Sequence, residues 1–191
     1  MAITPLVDYN SSMSKHFLQL ENKLRTFCGL VLFPVILIIL LLTAGISEYN
    51  FTGLLDLPVY GSWIRLLCLF VLGWMLRELW AGLQRNSYTI HIRFYQTVMI
   101  LFGLSAACAV LTPYIDGSLD ATIHLFFSYG AFICFNYLFI CLIWDQTVNT
   151  NIYTAVLFFC ALLCFAQGKI TGIAELIYAC MVSILLAWIT K

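Results

Sequence analysis

Few residues in this chain could do chemistry, and several of them lie where ionisation is expensive. In "YIDGSLDATIHLFF" (Tyr114 to Phe127), Asp116 and Asp120 precede His124, which falls inside an apolar run. An imidazole near a carboxylate is suited to proton transfer, because its pKa lies near neutrality and the carboxylate can orient it. Arg65 and Glu175 are embedded in the same way, in "GSWIRLLCLF" and "GIAELIYACM". Ionisable groups in hydrocarbon are costly, so they face a polar interior and pair with one another. An Arg65–Glu175 pair would give His124 a polar neighbourhood in place of bare lipid. Three roles are open to these residues: pinning helices together, lining a pocket for a lipid headgroup or small ligand, or catalysis with His124 as acid or base.

The elements that must carry these groups follow from composition. Of 191 residues, 63% are hydrophobic and 9% are charged, against roughly a quarter charged in soluble domains. A soluble fold of this size could not hide so much apolar surface, so the solvent is lipid. Nine basic and nine acidic residues balance, which gives no reason to expect a nucleic-acid partner. A membrane span needs about 20 apolar residues, and six such runs occur, at about 27–46, 60–80, 94–113, 122–144, 152–167 and 172–190. The fold class is therefore an all-α, polytopic membrane bundle of six helices.

Pro34 falls mid-span and predicts a kink in the first helix. Before that span, Met13, Phe17, Leu20, Leu24 and Phe27 recur at helical spacing. They predict a short amphipathic helix within a 1–26 segment, either along the membrane surface or as an extension of the first span, with the six-helix domain covering 27–191. The first apolar run is longer than a signal-peptide core and lacks a clear cleavage site, so no cleavable signal is expected. Lys15, Lys23, Arg25, Arg77, Arg85, Arg93 and Lys191 fall on one side of the membrane, and Arg65 and Lys169 on the other. That bias predicts cytoplasmic termini. Arg85, His91 and Arg93 suit anionic headgroups or topology determination. Asn50 begins a glycosylation triplet beside the membrane.

Counting depth at about 1.5 Å per residue, Arg65, His124 and Glu175 reach a similar shallow level below the outer face. Asp56, Asp116 and Asp120 lie above them. Asn136, mid-span in the fourth helix, should hydrogen-bond to a neighbouring helix. The Gly, Ser and Ala residues of "FGLSAACA" suit close helix packing. All eight cysteines lie in apolar runs without a CxxC pair, so they read as packing residues. His91 and His124 fall near opposite faces and cannot flank one haem. No HExxH, GxSxG or phosphate-binding loop occurs, and no cofactor or metal is expected.

With six spans and a polar layer drawn, three stretches resemble a known group. They are "IRFYQTVMILFGLSAACAVLTPYID", "IHLFFSYGAFICF" and "GIAELIYACMVSILLAW". They look like the third, fourth and last spans of the superfamily joining the damage-regulated autophagy modulators (DRAM), the fibroblast-growth-factor-receptor-activating proteins and a set of bacterial six-span proteins. The likeness runs through most of residues 60–190. It departs in the first outer loop, "SEYNFTGLLDLPVYGSW", and at Leu176, where the family commonly has Trp after the Glu. The resemblance implies a role in lipid organisation, trafficking or membrane-associated regulation, with His124 and Glu175 as the positions that carry over.

The expected function is that of a non-enzymatic integral membrane protein that binds lipid or a partner through its outer polar layer. Arg65, Asp116, Asp120, His124 and Glu175 are the candidate ligand- or lipid-binding residues. Expected partners are membrane lipids, other membrane proteins or a second copy of the chain. The membrane is a bacterial inner membrane or a eukaryotic plasma membrane or endomembrane. The alternatives are a structural subunit of a membrane assembly, a small-molecule transporter, and a lipid-modifying enzyme using His124 with Asp120 or Glu175 as its orienter. Between the polar layers only Asn136, Ser105 and small residues occur, which argues against an ion route.

Overall fold

The computed structural model describes residues 19–44, 51–57, 60–85 and 92–189. Asn50, His91, Met13, Phe17 and the chain-terminal lysines lie outside them. Six helices are long and apolar enough to cross a membrane, and the chain is an integral, multi-pass membrane protein. We label them with the short helix between the first two spans: α1 (residues 19–44), α2 (Phe51–Leu55), α3 (Gly61–Arg85), α4 (Ile92–Leu111), α5 (Leu119–Ile143), α6 (Thr147–Gln167) and α7 (Gly172–Ile189). The end of the bundle where α1 starts is called inner, and the other end outer.

The first span begins at Gln19. The described part of the N-terminal stripe, Leu20 to Phe27, is thus continuous with the membrane helix. Pro34 does not simply bend α1. A five-residue π turn, Cys28–Leu32, precedes it, with the Phe33 N–H donating to the Cys28 carbonyl. In that register the next donor, the N–H of residue 34, would serve Gly29, but proline has none. The Ser183 hydroxyl of α7 donates to the Gly29 carbonyl instead, at 2.8 Å. Gly29 also permits close approach, since a Cβ there would lie 2.5 Å from the Ala187 Cβ and 2.8 Å from the Trp74 ring.

α3, α5 and α7 supply most of the core. Leu79 and Leu83 of α3, Phe135, Leu138, Phe139, Leu142 and Ile143 of α5, and Met181, Val182, Leu185 and Leu186 of α7 contribute to one buried cluster, which also takes in Tyr95 and Phe102 of α4 and Tyr153 of α6. The tightest pair is α4 with α5, where Ser105 faces Gly130 and a Cβ on that glycine would lie 3.4 Å from the Ser105 Oγ. Small residues let these backbones approach, which matters in lipid because apolar burial alone gives no drive for association there. α6 ends on Gly168, whose φ of +64° suits a residue without a side chain.

A second, smaller cluster lies at the outer end. Leu54 and Leu55 of α2 pack on Ile64 of α3, with Leu40, Cys68 and Leu176 around them. This cluster brings the outer ends of α1, α2, α3 and α7 together, next to the positions of Arg65 and Glu175.

Candidate functional site

The outer polar groups are organised around the α4–α5 loop, residues 112–118. Gly117 turns this loop at φ +73°. Ser118 then caps α5: its hydroxyl accepts from the Ala121 N–H at 3.1 Å and donates to the Ile115 carbonyl at 2.6 Å. Asp120 falls in the first turn of α5, where a negative charge complements the helix dipole.

Two side chains hold this loop from below. His124 is 4% exposed, and its Nδ1 lies 3.0 Å from the Thr112 carbonyl. Because a carbonyl only accepts, Nδ1 carries the proton of that bond. The Tyr114 ring meets the imidazole edge to face, with centroids 5.8 Å apart. From the other side, Asp56 accepts from Arg65 Nη2 at 3.0 Å through one carboxylate oxygen. Its other oxygen accepts from the Tyr114 N–H at 3.1 Å. One aspartate therefore links α3 to the α4–α5 loop, and the histidine links that loop to α5.

Arg65 and His124 thus meet at one loop, although through partners other than those expected. The carboxylate that Arg65 takes is Asp56, nine residues earlier, and not Glu175. The Arg65 Nε is buried and makes no hydrogen bond. Glu175 lies in the first turn of α7, where it complements the helix dipole. The Thr171 hydroxyl caps that helix by accepting from the Ala174 N–H at 3.2 Å. Asp116 and Asp120 are exposed on the rim. At His124 Nδ1 the acceptor is a backbone carbonyl and not a carboxylate. Among the described residues, no group of three or more His, Cys, Asp or Glu is placed to hold a metal ion.

Two further polar groupings were not legible as such in the sequence. At the inner end, Arg25 Nε lies 2.9 Å from a Glu78 carboxylate oxygen, with the two side chains 14% and 1% exposed. Glu21 pairs with Arg77 beside it. Glu21 and Arg25 are four residues apart, and Arg77 and Glu78 adjoin, so α1 and α3 meet through two oppositely ordered pairs. The i,i+4 spacing was the available signal, but Arg25 counts towards topology in any sequence reading. In the bundle interior, Tyr153 of α6 donates to the Asn136 side-chain oxygen of α5. The Tyr178 hydroxyl of α7 lies 3.1 Å from that of Tyr153, and Asn136 Nδ2 donates to the Phe132 carbonyl at 2.7 Å. As the Tyr153 proton goes to Asn136, Tyr178 donates to Tyr153, which gives a one-way chain across three helices. All eight cysteines are free thiols.

No protein-family model matches the chain, and neither a curated protein nor a solved structure does.

Proposed function

We propose that this integral membrane protein is non-enzymatic and acts by binding, with its outer polar layer as the recognition surface and another membrane protein as what it recognises. The observation that carries this reading is the double tie on residues 112–118. Asp56 fixes the loop through the Tyr114 N–H, and His124 fixes it through the Thr112 carbonyl. A loop held in one conformation loses less entropy on binding. It presents Asp116 and Asp120 beside the exposed side chains of Ile115 and Leu119, a mixture of acidic and apolar groups suited to a basic, amphipathic partner segment. A lipid headgroup is the weaker candidate at this layer, because the Arg65 charge is already paired with the Asp56 carboxylate and the His124 Nδ1 proton serves the Thr112 carbonyl.

Placement of the termini in the cytoplasm and membership of the superfamily that the chain resembles belong to the same proposal. They are supported by the basic bias of the inner end and by the order and spacing of the three resembling spans.

The test is cross-linking in native membranes from a photoreactive residue at position 115. The wild type should give a defined adduct with one membrane protein. Asp116→Lys combined with Asp120→Lys should abolish the adduct while lowering the unfolding temperature by only a few degrees, the loss of one helix-dipole contact of about 1 kcal/mol at Asp120, as both side chains are exposed. An adduct that persists through the charge reversal would refute the proposed surface.

A further inference from the structure

A groove of about 610 Å³ runs between α3 and α4, away from the outer layer. That volume lies in the range of small-molecule sites, about 300–1,000 Å³. The residues along it change character with depth. Near the middle of the membrane it is lined by Leu76, Met99, Ile100 and Gly103. Towards the inner end it is lined by Trp80 of α3 and Gln96 of α4. On α4, positions 93, 96, 100 and 103 follow the three- and four-residue spacing of a single helix face, so Arg93 continues the stripe one turn beyond Gln96. Arg93 is exposed, and no ion pair holds it among the described residues. From Gly103 to Arg93 is ten residues, about 15 Å along the helix axis, which is half the thickness of a bilayer hydrocarbon core of about 30 Å.

The geometry points to a binding site for one anionic glycerophospholipid of the inner-side leaflet. An acyl chain lies against Leu76, Ile100 and the bare backbone of Gly103. The side-chain amide of Gln96 and the indole N–H of Trp80 are donors at the level of the ester carbonyls, and the Arg93 guanidinium is at the level of the phosphate. An apolar floor, then neutral donors, then a cation is the order of groups along such a lipid. Charge selects the class: Arg93 is a cation at the mouth, and Arg85 ends α3 on the same side. Gly103 keeps the floor open, since a Cβ there would come within 3.2 Å of the Leu76 side chain.

The test is native mass spectrometry of the purified full chain, with phosphatidylglycerol and phosphatidylcholine of identical acyl chains supplied in equal amounts. The wild type should retain one phosphatidylglycerol in preference to phosphatidylcholine. Arg93→Gln should lower that preference about fivefold, the factor corresponding to one basic residue at an anionic surface. Ile100→Trp, at an exposed lining position, should displace the lipid while the melting temperature holds. Lys169→Gln at the outer end should change nothing. Equal retention of the two lipids by the wild type would overturn the proposal, as would unchanged retention in both groove variants. Loss in Arg93→Gln alone, with Ile100→Trp retaining the lipid, would also overturn it, because surface charge would then hold a headgroup without a seated tail.

Discussion

Single residues in this bundle differ in what they contribute, and the differences can be ranked. Glu78 is almost fully buried against Arg25, so replacing either residue takes this counter-ion from a charge in a low-dielectric site. Breaking a buried pair in this way costs about 3–5 kcal/mol. The Tyr153 hydroxyl joins two neutral groups, and interhelical hydrogen bonds within membranes average only about 0.6 kcal/mol. Glu78→Ala should therefore destabilise the protein several times more than Tyr153→Phe in equilibrium unfolding from mixed micelles. Equal losses would mean that water reaches the ion pair. Sequence reading found the depth of Arg65 and His124 but not their partners. Asp56 reaches Arg65 because α2 folds back on α3 through Leu54, Leu55 and Ile64, and Thr112 is recognised through its backbone, which carries no residue-type signal. Asn136 was legible, since an amide at that depth needs a cross-helix partner. Which helix supplied Tyr153 was not, because hydropathy and spacing mark the spans without showing which of them become neighbours.

At the scale of elements, α1 shows how far a local signal extends. Pro34 predicts a kink in the helix, and what the structure shows beside it is a π turn in the hydrogen-bond ladder. That form of break, and its repair by Ser183 from the last span, depend on contacts more than 150 residues apart in the chain. If Ser183 stands in for the donor that proline lacks, the two positions are coupled. Ser183→Ala should cost about 1 kcal/mol in the wild type, the scale of one lost hydrogen bond to a buried carbonyl. It should cost much less in a Pro34→Ala background, where a backbone N–H is restored. A double-mutant cycle in detergent isolates this term, and strict additivity would remove the explanation. The span boundaries were more legible than the break, because lipid forces each helix to satisfy its own backbone and to match the hydrocarbon thickness. The fifth span, short on hydropathy alone, gains its first turn and a half from the polar "TVNTN", which is helical from Thr147.

For the whole molecule, polar surface is divided between two ends that differ in charge. The outer end gathers Asp116 and Asp120 around a clamped loop, while the inner end carries Lys23, Arg25, Arg77, Arg85 and Arg93. Exposed aromatics mark both levels, with Tyr60 and Trp63 near the outer end and Trp144 and Trp188 near the inner one, as in the aromatic belts of membrane proteins. Basic residues are retained on the cytoplasmic side during insertion, so the inner end should face the cytoplasm. Single cysteines at two exposed positions report this directly. In intact cells Asp116→Cys should react with a membrane-impermeant maleimide, whereas Gln84→Cys should react only after permeabilisation. The eight native thiols lie within the spans and should add little background to either measurement. The opposite pattern would place the clamped loop in the cytoplasm and the groove between α3 and α4 in the outer leaflet, where anionic lipids are scarcer. Orientation therefore bears on both ends of the bundle at once. It decides whether the acidic rim is available to extracellular or lumenal partners, and which leaflet supplies the lipid facing Arg93.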